Sequence, residues 1–251
     1  DFKKHRFNII LKARQLGIST TVASYVCWLL LFHRDKNILV VATKLNTAAN
    51  LVKKSKAIYK NLPSWLKIAP ISIDNRNSFE LANGSQVKAS STSGDAGRSE
   101  ALSLLVIDEA AIVEGLDEMW AGLYPTLSTG GTCIALSTPY GVGNWFHKNY
   151  IEAEEGKNDF NPIKLPWYLH PERNQNWFDS ETENMSNKEI AQEYECDFIS
   201  SGDTVIDPLD IKFYDSNYII DPIDKTNFDS NLWIWRECEP GRKYIISADV
   251  A

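Results

Sequence analysis

The stretch Phe7-Asn8-Ile9-Ile10-Leu11, then Lys12-Ala13-Arg14-Gln15-Leu16-Gly17-Ile18-Ser19-Thr20, then an apolar segment of helical length from Val22 to Phe32, constrains this chain most. It reads as strand, tight loop and helix. Such a loop turns several backbone N–H groups and the positive end of a helix dipole toward one point, so it can hold a phosphate. The pattern G-x-x-x-x-G-K-[ST] is matched in part. Gly17 stands at the second glycine and Ser19 at the hydroxyl that would face Mg2+, whereas Ile18 stands where the lysine belongs and Lys12 where the first glycine belongs. A cation is still needed, since a unit charge about 4 Å from a phosphate oxygen contributes roughly 4 kcal/mol at an effective dielectric near 20. Lys12 and Arg14 are the loop residues able to supply it, Lys12 by reaching back across the loop and Arg14 by a two-pronged contact. An ordinary strand-to-helix turn with two solvated cations would carry the same residues.

At 251 residues the chain is long enough for one α/β domain with an appendage, or for two small domains. Its longest apolar run, Tyr25 to Phe32, is far short of the roughly 20 residues that span a membrane and reads as a buried helix. Cys27, Cys133, Cys196 and Cys238 lie far apart and read as reduced structural thiols of a cytosolic setting. A net charge of -7 argues against a surface that is basic throughout, as nucleic-acid clamps are. Local basic clusters remain at Lys3, Lys4, His5 and Arg6 and at Lys53, Lys54, Lys56 and Lys60, the second equally readable as a solvated helix face. The chain opens at Asp1 with no signal-peptide pattern and stops directly after a strand-like run, so it is expected to be a fragment.

The β-branched run Asn37 to Thr43 predicts a buried strand, and the segment Asn46 to Leu62 a helix that stops before Pro63. Phe79 to Ala89 reads as two short strands around the turn Asn83-Gly84, a small antiparallel insertion. Ser93 to Ser99 is a polar loop carrying Arg98. Two further strands end in polar groups: Leu102 to Ile107 delivers Asp108 and Glu109, and Thr132 to Leu136 delivers Ser137, Thr138 and Pro139. In a parallel sheet the C-terminal strand ends lie together, so the loops after Leu11, Ile107 and Leu136 should converge on one crevice. Prolines interrupt short aromatic segments beyond about residue 160. There only a helix opened by the capping box Ser186-Asn187-Lys188-Glu189, with Ile190, Tyr194 and Phe198 at helical spacing, reads clearly. The expected organisation is a core over 1–164, a smaller irregular subdomain over 165–240, and the first strand of a further unit over 241–251.

An apolar strand ending in Asp-Glu suits ATP hydrolysis: Asp108 would hold Mg2+, usually through water, and Glu109 would orient or deprotonate the attacking water. A helix N-terminus that begins with acids would look the same. Ser137 and Thr138 are placed to sense the terminal phosphate, or simply to form a turn before Pro139. Arg98 suits an arginine finger, and equally a surface arginine.

The order Lys-Ala-Arg-Gln-Leu-Gly-Ile-Ser-Thr, Gly97-Arg98, Leu-Leu-Val-Ile-Asp-Glu-Ala-Ala and Leu-Ser-Thr-Pro-Tyr-Gly resembles the large terminase subunits of tailed phages, over nearly the whole chain. Gln192 to Phe198 and Ser201 to Ile206 look like the end of that family's ATPase region. The resemblance implies a P-loop NTPase fold of the ASCE, RecA-like type, a parallel central sheet flanked by helices with a linker subdomain II. It implies an ATP- and Mg2+-dependent motor that pumps double-stranded DNA into a capsid. The expected partners are the portal protein, the small terminase subunit and other copies in a ring, with a monomer in isolation, no membrane, and work in the host cytoplasm docked on the procapsid.

Carried over by position, Lys12, Arg14, Gln15, Gly17, Ile18, Ser19 and Thr20 belong to the phosphate loop, with Lys12 in the lysine's role as in those members that place it at the loop's start. Ser19 and Asp108 hold the metal, Glu109 is catalytic, Arg98 acts on a neighbour's ATP, and Ser137, Thr138 and Pro139 form the coupling motif. Asp249 matches the first metal-binding aspartate of an RNase H-like nuclease. Its partner carboxylates are expected beyond Ala251, so this piece should not cut DNA. The family's adenine-contacting segment is expected upstream of the loop. Two rivals stand beside this reading: a helicase-like or remodelling ATPase, and a DNA or portal adaptor that kept the fold and lost hydrolysis, which Ile18 keeps open.

Overall fold

The computed structural model describes residues 2–91, 100–202, 208–218, 220, 222–224, 233–237 and 239–243. Its centre is an eight-stranded sheet. The strands are β1 (Phe7–Lys12), β2 (Asn37–Ala42), β3 (Ile71–Asp74), β4 (Ser78–Leu81), β5 (Gln86–Ser91), β6 (Leu104–Asp108), β7 (Thr132–Ser137) and β8 (Phe160–Leu165), in the order β3-β4-β5-β2-β6-β7-β1-β8. From β5 to β8 every pairing is parallel. A parallel sheet needs both faces covered, which is why β1, β2, β6 and β7 are continuous apolar runs rather than alternating ones.

The helices supply that cover. On one face lie α1 (Ile18–Phe32) and α2 (Leu45–Asn61). The α1 residues Val22, Ala23, Val26, Cys27, Leu30 and Leu31 recur at helical spacing and pack with Val40, Val106 and Leu136 of the sheet. On the other face α3 (Leu116–Leu123) and α4 (Trp145–Glu154) bury Leu116, Met119, Trp145, Phe146 and Tyr150 against Ile9, Leu105 and Cys133. The Asn144 side chain caps α4 by accepting from His147 N–H. Cys27, Cys133 and Cys196 are free and buried, and burial pushes their thiols up, Cys27 to about 11 and Cys196 to about 12. Cys238 lies outside the described residues.

The Asn83-Gly84 hairpin forms as expected, with Gly84 at φ 81°, and because β5 also pairs with β2 it extends the central sheet. Residues 160–165 form a strand despite Pro162. As β8 is an edge strand, the missing N–H costs little. The capping box at Ser186 and Glu189 forms as expected, but α6 (Asn187–Ile190) lasts one turn. The chain then widens into a π-type turn over Ala191–Glu195 and leaves the helical path at Cys196, φ 59°, so Phe198 is not on that helix. An unforeseen helix, α5 (Gln175–Thr182), precedes it, capped by Asn174.

The chain divides into compact units Asp1–Asp203 and Thr204–Ala251. Within the second, α7 (Pro208–Tyr218) gathers Phe213, Tyr214 and Tyr218, and Asp224 bridges Ile234. Among the described residues no helix is long and apolar enough to cross a membrane.

Leu105, fully buried in the middle of β6, leaves a cavity when shortened. Leu105→Ala should lower the unfolding free energy by about 2–5 kcal/mol in urea denaturation.

Candidate nucleotide site

The C-terminal ends of β1, β7 and β6 form one edge of the sheet, which is where a parallel sheet places its crevice. Register fixes their relative heights: Leu11 pairs with Ser137, and Leu136 pairs with both Ile10 and Asp108. Lys12 and Asp108 therefore lie two strand spacings apart, about 10 Å between backbones, with Ser137 between them. The Lys12 ammonium and the Asp108 carboxylate, each reaching inward from its own strand, come within coulombic range of one another. Burial lowers the Lys12 ammonium below an ordinary lysine, and the carboxylates of Asp108, Glu109 and Glu193 pull it back up. Burial likewise raises the Asp108 carboxyl, against the opposing pull of Lys12 and, more weakly, of Lys54. The structure thus gathers the displaced lysine and the Asp-Glu pair on one edge.

The loop between β1 and α1 is held from outside and open inside. Ala13 N–H donates to Leu165 C=O at 2.8 Å and Arg14 N–H to Glu193 C=O at 2.7 Å. Beyond them, the N–H groups of Gln15, Leu16, Gly17, Ile18 and Ser19 donate to no acceptor among the described residues, and no side chain caps α1. Its first turn also carries no acidic residue. Orphan amides with a helix dipole behind them are the donor set of an anion site. The loop reaches this shape through two left-handed residues, Gln15 at φ 56° and Gly17 at φ 76°. A Cβ on Gly17 would meet nothing within 4 Å, so glycine is needed there for its left-handed backbone and not for space.

Ile18 packs against the cluster under α1 and Leu16 against the cluster on the opposite face. An ammonium at residue 18 would have to leave the apolar contact that this position makes. Ser19, half-buried, stands in the first turn of α1, and Thr20 is exposed with its N–H on Gly17 C=O. The Arg14 side chain is 67% exposed and pairs with Glu193, its Nε 2.9 Å from Oε2. Arg98 and Asp249 lie outside the described residues.

Glu109 also sits in the left-handed region, φ 56°, a backbone strain that functional sites often keep. Its Oε2 accepts from Thr43 Oγ1 at 3.2 Å, while Asp108 Oδ1 accepts from Glu109 N–H at 3.0 Å. The buried Ser137 Oγ accepts from Ala111 N–H at 3.1 Å, tying the end of β7 to the loop after β6. Thr138 is half-buried and Pro139 buried beside it. Sequence reasoning missed Thr43, although it is the polar residue at the end of the β2 run, the rule that found Asp108 and Ser137. Glu193 and Arg173, which touch the loop from far along the chain, had no local signal.

Gly17→Ala adds a methyl where there is room but forces a left-handed alanine. It should cost about 1–2 kcal/mol in urea unfolding, where a glycine chosen only for space would cost nothing.

The family model described as terminase large subunit, T4likevirus-type, N-terminal, matches residues 9–213. A probable terminase large subunit, gp28, of Escherichia phage Mu is 31% identical over 113 residues, 37% of this chain and 20% of that protein. The large terminase ATPase domain of Thermus phage P74-26 superimposes with a TM-score of 0.62 at 19% identity, covering 78% of this chain and 89% of that one. The large terminase of another thermophilic bacteriophage, in complex with ADP, gives 0.64 at 12% identity over 79% and 49%. That of HK97 gives 0.62 at 14% over 76% and 46%. This chain thus spans about a fifth of the Mu protein and about half of the ADP-bound and HK97 large terminases. At such identities the structural likenesses establish the fold, that of a P-loop NTPase.

Proposed function

The chain belongs to the terminase large-subunit family, and from that premise we propose that it is the ATP-hydrolysing motor part of a phage DNA-packaging enzyme. One observation carries the reading: the unpartnered amides of Gln15 to Ser19 open beside a half-buried lysine whose charge interacts with Asp108 and Glu109. A phosphate chain laid on these amides is neutralised by Lys12 from the start of the loop. Arg14 is close enough to the loop to add a second cation by leaving Glu193. The same thermophilic-phage terminase that holds ADP holds ATP-gamma-S in another crystal, which supports a nucleotide as the ligand.

Ser19 and Asp108 are the protein oxygens that would hold Mg2+, the rest of its shell coming from phosphate and water, a donor set that suits this ion. When bound, it neutralises charge on the terminal phosphates. Glu109, held by Thr43 and free of the metal, orients the attacking water and accepts its proton. Ser137, Thr138 and Pro139 serve as the coupling motif, since the Ser137 bond to Ala111 ties the end of β7 to the loop that carries Glu109. Arg98 acts on the nucleotide of a neighbouring copy in a ring. In the whole protein the motor translocates double-stranded DNA with the portal and the small subunit, in the host cytoplasm on the procapsid. Residues 165–240 serve as linker, and 241–251 open a nuclease domain to which Asp249 contributes.

Glu109→Ala should keep ATP affinity and lose about 10²–10⁴ in turnover, whereas Lys12→Ala should lose both. Equal ATP binding by the parent and Lys12→Ala in calorimetry rejects the displaced-lysine assignment. Mixing Arg98→Ala with Glu109→Ala protein should restore part of the ATPase activity in assembled rings, and no recovery counts against action between copies.

Because burial raises the Asp108 carboxyl above 3.8, it takes up a proton at a higher pH than a free aspartate as the solution is acidified. Mg2+-dependent ATP binding should therefore fall off on the acid side above that value. A falling limb at or below it would contradict the role given to Asp108.

A further inference from the structure

The loop between β1 and α1 is gripped on its outer side by a residue that lies outside every motif singled out above. Arg173, in the turn before α5, donates from Nη1 to Arg14 C=O at 3.1 Å and from Nη2 to Gln15 C=O at 3.2 Å. Its guanidinium lies 4.4 Å from the centre of the Trp177 ring, so the fork is fixed from behind. The planar guanidinium can bind two successive carbonyls at once, and a lysine cannot reproduce that geometry.

In a trans peptide the C=O of one residue and the N–H of the next point in opposite directions. Fixing Arg14 C=O outward therefore aims Gln15 N–H inward, and fixing Gln15 C=O outward aims Leu16 N–H inward. Those two amides begin the unpartnered series, and Gln15 holds a left-handed conformation that its surroundings must impose. We infer that Arg173 is a positioning residue for nucleotide binding, aiming the Gln15 and Leu16 amides at the phosphates by holding the two carbonyls behind them. Its hydrogen bonds are to the loop backbone. The inference rests on the nucleotide reading of the loop, and it makes the segment after β8 a part of the site.

The test is calorimetric binding of Mg2+-ATP and Mg2+-ADP to the parent, Arg173→Ala, Arg173→Lys and Lys12→Ala proteins, with melting of each nucleotide-free protein as a second readout. Kd for both nucleotides should rise about tenfold in Arg173→Ala and in Arg173→Lys alike, the loss expected from a misaimed amide bond to an anion. In steady state KM should rise in parallel, with kcat at saturating ATP nearly unchanged. Melting of the free Arg173→Lys protein should stay within a few degrees of the parent. If Arg173→Lys binds like the parent, charge alone suffices and the fork is rejected. If either Arg173 variant binds within twofold of the parent while Lys12→Ala has lost binding, the positioning role is overturned and the site reading survives. Failure of Lys12→Ala to weaken binding overturns the site reading itself.

Discussion

An ammonium group taken out of water is tolerated only where opposite charges surround it, and Lys12 is such a group. It leaves the end of β1 with its pKa pushed down by burial and held up by the carboxylates of Asp108, Glu109 and Glu193. That arrangement fixes much else. The carboxylates must arrive from the neighbouring strand ends, which the parallel order β6-β7-β1 provides, and the helix after β1 must present its amide end to the same edge. A sheet with its strands reversed would scatter these groups over two edges.

The sheet could be read in advance where its strands are buried on both faces. Ile9, Val40, Val106 and Ala135 lie in uninterrupted apolar runs, and their elements appear where the pattern put them. Asp108, Glu109 and Ser137 were legible for the same reason: a polar residue straight after such a run sits at the crevice. Edge elements were less legible. The Asn83-Gly84 hairpin was legible only through its turn dipeptide, and β3 and β8, the latter carrying Pro162, show no pattern distinct from loop. The wide turn at Ala191–Glu195 begins with a helix signal and departs from it because its backbone is bound elsewhere, Glu193 C=O to the phosphate loop. Contacts across 150 residues and more, such as Arg173 to Arg14, leave no mark on local sequence.

Those distant contacts give the segment after β8 a defined task. Leu165 and Glu193 receive the first amides of the phosphate loop, and Ser201 Oγ accepts from Gly141 N–H beyond β7. Gly141 and Gly202 pass so closely that a Cβ on either would crowd the other's backbone at about 3 Å. One stretch of chain thus braces both the loop that would hold the phosphates and the loop that follows Ser137.

The central claim is that the orphan amides between β1 and α1 receive a phosphate chain. Amide chemical shifts of 15N-labelled protein, recorded with and without Mg2+-ADP, test it most directly. The account predicts large downfield shifts and slowed hydrogen exchange at Gln15, Leu16, Gly17, Ile18 and Ser19. Saturating ADP that leaves these amides unmoved, while shifting residues on another surface, would contradict it.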